Sequence, residues 1–128
     1  MIVEHDIMDM KKVEARARAK QFNTTMKEFI TKLLAIHTSD DCGLKVAKKL
    51  LKIGARSNVL APSTVFYESL SPHIEKVIER DESFFLEHGS CVLPVVQFNK
   101  LWNNSSPATR ISIWKYVDHM YQIAGMIH

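Results

Sequence analysis

The sequence predicts an all-α fold, in which residues 1–128 form one compact single-domain bundle of five to seven helices with a long C-terminal core helix. Two observations support this prediction. Apolar residues recur at spacings of three and four along most of the chain, and only four glycines and four prolines interrupt the pattern. The length of 128 residues, with 46% hydrophobic and 24% charged residues, is typical of one globular domain.

Three helices are predicted in the N-terminal part of the chain. The first covers about residues 6–21 and carries few apolar residues. Asn23 or Thr24 is expected to cap a second helix over about residues 24–37, because both side chains are good N-caps. A third helix is expected over about residues 43–55. The residues expected to face inward are Met10, Val13 and Ala17 in the first helix, Met26, Phe29, Ile30, Leu33 and Leu34 in the second, and Leu44, Ala47, Leu50 and Leu51 in the third.

The middle of the chain predicts shorter helices. Pro62 and Pro72 mark the starts of two of them, over about residues 65–70 and 72–80. Asp81 is expected to cap a further helical turn. The apolar residues expected to face inward in the last two of these elements are Ile74, Val77, Ile78, Phe84, Phe85 and Leu86.

The C-terminal part predicts an extended connector, one short helix and the long terminal helix. Residues 90–96 are rich in β-branched residues and are broken by Pro94, which favours a short extended connector. A short helix follows at about residues 98–102. The terminal helix begins with a capping serine, Ser106, and with Pro107 at its first position. Its apolar residues then recur at helical spacing as far as Ala124, so it is expected to be the central helix of the core.

Aromatic residues are the candidates for the core or for an interface. We expect Trp114 to be buried, because it lies on the apolar side of the terminal helix. The aromatic and apolar residues of the C-terminal half also suggest self-association as a two-fold homodimer, and packing of all of them inside one monomer is the alternative. The core or interface candidates are Phe84, Phe85, Trp102, Trp114, Tyr116 and Tyr121.

Positive charge is concentrated in the N-terminal half. Residues 11–56 contain 12 Lys and Arg residues against four Asp and Glu residues, whereas the whole chain has a formal net charge of +3. If two such helix faces lay side by side, they would form a positive surface for phosphates or nucleic acid. The alternative is an ordinary solvated polar face, since no aromatic residue occurs within residues 12–20 or 45–52. The candidate positions are Lys12, Arg16 and Lys20 on the first helix and Lys45, Lys48, Lys49 and Lys52 on the third.

The sequence gives no sign of catalysis. It contains no HExxH, GxSxG, GxxxxGK[ST] or CxxC motif, and its six histidines are scattered, so we expect a non-enzymatic protein with no cofactor and no metal. The alternative to the last expectation is a zinc site, for which the ligands would be His37, Cys42, His88 and Cys91. The glutamates of residues 75–87 are expected to be a solvated acidic side.

The expected location is intracellular. The first residues lack the basic start and apolar centre of a secretory signal, and no apolar run approaches the ~20 residues that span a bilayer, so we expect neither secretion nor membrane insertion. Two cysteines, Cys42 and Cys91, fit reduced thiols in such a compartment, with a single disulfide as the alternative.

Three aromatic segments carry a resemblance that covers roughly residues 65–124. They read Phe98-Asn-Lys-Leu-Trp, Ile113-Trp-Lys-Tyr-Val and Arg80-Asp-Glu-Ser-Phe-Phe. This pattern resembles the small, uncharacterised helical proteins encoded by large DNA viruses of amoebae, marseilleviruses among them. The resemblance implies a non-enzymatic viral protein that works in the cytoplasm or nucleus of the infected cell or in the particle, and it brings no catalytic residues.

Two functional hypotheses follow from the sequence. The first is a non-enzymatic α-helical interaction or structural protein that self-associates and acts on protein partners through its surfaces. The second is a nucleic-acid-binding or phosphate-binding module that uses the basic face of residues 11–56.

Overall fold

The described part of the chain is built from helices joined by short turns. The computed structural model describes residues 4–128, with side chains from residue 10 onward, and within that range it contains no strand. The prediction of an all-α fold with a long C-terminal helix is therefore confirmed. Two 3-10 turns, Ser71–His73 and Gly89–Cys91, supplement the helices. The α-helices are α1 (Glu4–Ile36), α2 (Leu44–Ser57), α3 (Ala61–Leu70), α4 (Ile74–Ile78), α5 (Ser83–His88), α6 (Phe98–Asn103) and α7 (Pro107–Gly125).

The first helix is continuous, and the predicted break at Asn23 or Thr24 is wrong. Asn23 does not cap a helix, because its Nδ2 atom donates to the carbonyl oxygen of Val59, 3.1 Å away. Thr25 bonds back to the carbonyl oxygen of Gln21 at 2.9 Å, an arrangement that a helix interior accepts. The apolar side of α1 also runs through the predicted break without a change of phase, from Ala19 to Leu33.

The start of α7 matches the prediction. Ser106 is the N-cap, and its Oγ atom accepts a hydrogen bond from the backbone N–H of Thr109 at 3.2 Å. Pro107 occupies the first turn, where it removes an N–H that no helix carbonyl could have accepted. Arg110 adds a bond from its Nε atom to the carbonyl oxygen of Trp102 at 3.1 Å, which joins α7 to α6.

An aromatic cluster occupies the core between α5, α6 and α7. Phe85 lies at its centre, with ring centroids 5.0 Å from Phe98, 4.4 Å from Trp102 and 4.5 Å from Trp114. Phe84 lies 5.2 Å from Phe85, and all of these side chains are buried. The predicted burial of Trp114 is therefore confirmed.

Several apolar residues that were expected to face inward are exposed instead. Leu50 of α2, Ile78 of α4 and Leu86 of α5 lie on the surface. On α1, Met10, Val13 and Ala17 are also exposed, and from Met10 onward the first buried residue of that helix is Ala19. Ile78 and Leu86 lie on helices of only five and six residues, which bury little of their surface against the bundle.

The connector between α5 and α6 is turned rather than extended. It begins with the 3-10 turn Gly89–Cys91 and continues through turns to Val96. The N–H groups of Val92, Leu93 and Val96 donate to carbonyls within the connector, and one longer bond runs from the Gln97 N–H to the carbonyl oxygen of Cys42 at 2.9 Å. The residue pattern predicted a strand-like segment, but no neighbouring strand is present in residues 4–128 to pair with it.

Within residues 4–128, no helix combines the length and the apolar character that crossing a bilayer requires.

Candidate interaction groove

An apolar groove lies where α1, α2, α3 and the α5–α6 connector meet. It has a volume of about 250 Å³, and carbon-rich side chains make up its walls. We call it the α2 groove and define it by six lining residues, which are Met26, Ile30, Leu50, Leu51, Val65 and Pro94. A concave apolar surface of this kind is where proteins bind apolar ligands or the apolar side of another chain.

The edge of this groove carries a row of exposed aliphatic residues on α2. Val46, Leu50 and Ile53 are 52%, 47% and 62% exposed. Their spacing of four and three residues places them in one line along the helix, which we call the α2 stripe. Val65 of α3 and Val95 of the connector, which are also about half exposed, add to this apolar surface. Single exposed aliphatic residues are common on proteins, whereas a contiguous set beside a groove indicates an interaction site.

Val95 holds an unusual backbone conformation beside the α2 groove. Its φ angle is 66°, a left-handed value that a β-branched residue adopts only at a cost of about 1–3 kcal/mol. The conformation brings the Val95 carbonyl against Gly43, itself at φ 98°. A Cβ atom at position 43 would lie 2.6 Å from that carbonyl oxygen, so only glycine fits there. The surrounding structure therefore fixes a strained, exposed valine beside the groove.

Cys91 is the lining residue with the greatest chemical reactivity, and it is half-buried. Burial raises the pKa of its thiol above the ordinary value, which keeps the sulfur protonated near neutral pH. Cys42 is buried and is also a free thiol, so the two cysteines form no disulfide with each other.

The basic residues of α2 lie outside the groove, and none of them is among its lining residues. Lys45, Lys49, Lys52 and Arg56 are exposed, and Lys48 is partly buried. Among residues 10–128, no carboxylate oxygen lies within 4.0 Å of these side-chain nitrogens. The α2 sequence itself contains no Asp or Glu, so its positive charge is not neutralised within the helix.

The two predicted basic faces meet only in part. α2 runs antiparallel to α1, because Asn23 of α1 bonds to Val59 just after the α2 C-terminus, whereas Lys45 lies near the other end of α1. Lys12, Arg16 and Lys20 are exposed on earlier turns of α1, before the region that α2 covers. The basic residue that α1 places opposite α2 is Lys27. It lines a surface furrow of about 350 Å³ with Lys48 and Lys52.

The aromatic candidates divide into two groups. Phe84, Phe85, Trp102 and Trp114 are buried in the core of the same chain. Tyr116 and Tyr121 are only partly buried: the Tyr116 ring lies 5.0 Å from that of Phe29, and the Tyr121 ring is stacked on Tyr67 at 5.1 Å. Most of the apolar surface on which the predicted dimer was based is therefore covered within one chain.

The structure does not bring the four zinc candidates together. His37 is buried near Ser105, and His88 is stacked on His73 with ring centroids 4.1 Å apart. In residues 10–128, no group of three or more His, Cys, Asp or Glu side chains is arranged to hold a metal ion. The acidic side of residues 75–87 is partly paired, since Glu82 lies 3.6 Å from Arg110 and Glu87 lies 3.7 Å from Lys76.

The α2 groove is the feature that the sequence reasoning missed. The signal was present in the sequence, because Val46, Leu50 and Ile53 form a second apolar row beside the buried residues Leu44 and Ala47. From the sequence alone, that row looks like part of one wide apolar side that faces the core. Only the positions of α3 and of the connector show that the row is left uncovered.

Comparison with known proteins finds no match to any family model, curated protein or solved structure.

Proposed function

We propose that this chain is a non-enzymatic α-helical interaction protein that binds a helical segment of a partner protein in the α2 groove. The observation that supports this proposal is the combination of an apolar groove with the exposed α2 stripe along its edge. An amphipathic helix laid in such a groove would bury apolar residues on both sides, which is a common mode of peptide recognition.

The energies involved are sufficient for reversible binding. Fully burying an aliphatic side chain is worth about 1.5–3 kcal/mol, and each of the five exposed aliphatic residues here can still bury about half of its surface. Covering all five would contribute on the order of 5 kcal/mol from this side, with a comparable contribution from the partner. Part of that sum is lost to the ordering of both chains, so an affinity in the micromolar range is expected.

The chemistry of the groove supports a binding role rather than catalysis. Its walls offer hydrocarbon surface, and its one thiol, Cys91, is held in the neutral form by a raised pKa. A nucleophile that acts near neutral pH needs the opposite, a lowered pKa or a neighbouring base. Both cysteines are free thiols, as is usual inside cells, and we place the function there.

Two finer predictions remain proposals. A two-fold dimer would have to use exposed surface such as the α2 stripe, since the buried aromatic residues are not available for it. A viral origin remains an expectation from the resemblance, and the binding role proposed here does not depend on it.

Nucleic-acid binding is the second candidate function, and the furrow between α1 and α2 favours it. Lys27, Lys48 and Lys52 converge there, and among residues 10–128 no acidic side chain lines the furrow. Affinity for duplex DNA should then fall steeply with salt, with a slope of about 0.9 per neutralised phosphate on logarithmic axes. Substitution of Lys27 and Lys48 by Gln should reduce both the affinity and that slope, and an unchanged slope would contradict this candidate.

The groove can be tested with a neutral amphipathic peptide. The peptide has leucines at the spacing i, i+4, i+7 and glutamines elsewhere, and bound peptide is expected to slow the alkylation of Cys91. Leu50→Glu should weaken binding at least tenfold, because it places a carboxylate in the contact. Ile111→Glu, at an equally exposed site on α7, is the matched control and should bind like the parent.

Circular dichroism and a urea midpoint establish that both variants are folded. Equal protection of Cys91 in Leu50→Glu and the parent, or no protection at millimolar peptide, would refute the role of the groove.

A further inference from the structure

We infer that the occupant of the α2 groove is an acidic amphipathic helix from another protein, which lies along α2 with its carboxylates on the basic side chains. This inference rests on the proposed function and adds the charge and the register of the partner.

Two parallel rows on α2 carry the inference. The α2 stripe occupies positions 46, 50 and 53, and a second row one residue earlier carries positive charge. We call the second row the α2 basic row, and it consists of Lys45, Lys49, Lys52 and Arg56. Because one residue is a rotation of 100° in an α-helix, the two rows run parallel along its surface about 100° apart, with the α2 stripe nearer the groove. All seven side chains are exposed.

A partner helix can match both rows at once. The rows extend over residues 45–56, which is about 16 Å or three turns at 1.5 Å per residue. A helix of three to four turns, with apolar residues at i, i+4 and i+7 and acidic residues beside them, would meet the stripe and the basic row in the same register. Its apolar side would cover Leu50 and reach the groove wall at Val65.

The same two rows argue against the other occupants. A second copy that contacted α2 symmetrically would bring the basic rows of both chains together, which is repulsive because α2 contains no Asp or Glu. Nucleic acid would neutralise the basic row but would leave the adjacent α2 stripe in contact with charged phosphates or water. An acidic segment with an apolar side satisfies both rows.

The charge contacts should be screened by salt while the apolar contacts persist. The basic row is solvent-exposed, so its contribution falls as the Debye length shortens from about 30 Å at 0.01 M to about 3 Å at 1 M salt. Exposed charges also act mainly on the association rate, so the acidic partner should bind faster at low salt.

Three helical peptides test the inference. They share one row of leucines and differ in the residues of the row beside it. The second row holds glutamines, glutamates or lysines, and binding is measured by fluorescence anisotropy at low and high salt. For the parent protein, we expect the acidic peptide to bind at least tenfold tighter than the neutral one at low salt, with a smaller ratio at high salt. The lysine peptide should bind more weakly than the neutral one.

Charge-reversed variants make the test specific to α2. Lys49→Glu should reduce the preference for the acidic peptide, and the triple variant Lys45→Glu, Lys49→Glu, Lys52→Glu should reverse it toward the lysine peptide. Lys115→Glu, which changes an exposed lysine of α7, is the matched control and should keep the preference of the parent.

Each contrary outcome has a distinct meaning. If all three peptides bind equally and Leu50→Glu abolishes binding, the inference about charge is overturned while the groove remains the binding site. If no peptide binds and duplex DNA does, the inference and the proposed function both fail in favour of nucleic-acid binding. If Leu50→Glu converts a dimer to a monomer in light scattering, a second copy is the occupant and the inference is overturned.

Discussion

The Nε2 atom of His37 lies 3.2 Å from the Oγ atom of Ser105, and this contact joins the end of α1 to the turn between α6 and α7. Ser105 donates its own proton to the carbonyl oxygen of Leu101, 2.7 Å away, so its Oγ atom accepts from His37. The Nε2 atom must therefore carry the hydrogen. Burial of the imidazole lowers the pKa of His37, and the negative charge of Asp40 opposes this shift only in part.

Stability is expected to depend on pH through His37. A histidine whose pKa is lower in the folded state takes up a proton more readily when the chain unfolds. The free energy of unfolding should therefore be fully retained above about pH 6.5, the ordinary histidine value, and should fall as the pH falls below it. His37→Gln keeps an N–H for Ser105 and does not titrate, so urea unfolding at pH 7 and pH 5 should show a smaller loss in this variant. Equal losses in variant and parent would contradict this assignment.

Removal of the Trp114 side chain should destabilise the fold strongly. Trp114 is buried beside Phe85 and Trp102, and the guanidinium of Arg80 lies 5.2 Å above its ring. We expect Trp114→Ala to reduce the free energy of unfolding by about 3–5 kcal/mol, which is the usual cost of such a change in a core. Ile111→Ala on the exposed side of α7 is the control and should cost less than about 1 kcal/mol. Similar urea midpoints for the two variants would show that the assignment of the core face is wrong.

Two glycines should respond to alanine in opposite directions. Gly43→Ala is expected to be destabilising, because φ is 98° there and the new Cβ would collide with the Val95 carbonyl. Gly54 lies inside α2 with no atom within 4 Å of a Cβ position, so Gly54→Ala should stabilise the protein by about 0.5–1 kcal/mol. Thermal unfolding of both variants measures the two signs. A stabilising Gly43→Ala would contradict the conformation described for the connector.

The two thiols should differ in reactivity. Cys91 is half-buried, whereas Cys42 is buried, so a maleimide should modify Cys91 first in the native protein. Burial raises the pKa of both thiols, and for Cys42 the nearby charge of Asp40 adds to the shift. Both reactions should therefore be slow at pH 7 and should accelerate as the pH rises. Mass spectrometry with Cys42→Ser and Cys91→Ser variants identifies the site, and earlier labelling of Cys42 would contradict the burial described here.

Strong local signals made much of the fold predictable from the sequence. The cap at Ser106, with Pro107 after it, is decided by interactions within one turn, so α7 was placed correctly. The role of Asn23 depends on its hydrogen bond to Val59, which is 36 residues away in the sequence. No local sequence pattern indicates that bond. The continuous spacing of Ala19, Phe22 and Met26 was the better guide at that point, because a core stripe outweighs a weak capping signal.

The candidate site was much less predictable than the fold. The positive charge of α2 is readable from its composition. Of the four lysines predicted to share one face, Lys45, Lys49 and Lys52 are exposed and Lys48 is partly buried. The exposure of Leu50 could not be predicted from the sequence, because it depends on how far α3 and Pro94 lie from α2. Sequence patterns give the side of a helix that is apolar, whereas only the packing shows which part of that side is left uncovered.

The first and last helices pack against each other, with Phe29 and Tyr116 in contact across them. Of these helices, α1 is translated first and α7 only after the helices that lie between them in the sequence. Until then the apolar side of α1, with Phe22, Phe29 and Ile30, has no α7 to cover it on the ribosome. Released chains that stop before α7 should therefore recruit holding chaperones, and released chains that include α7 should not.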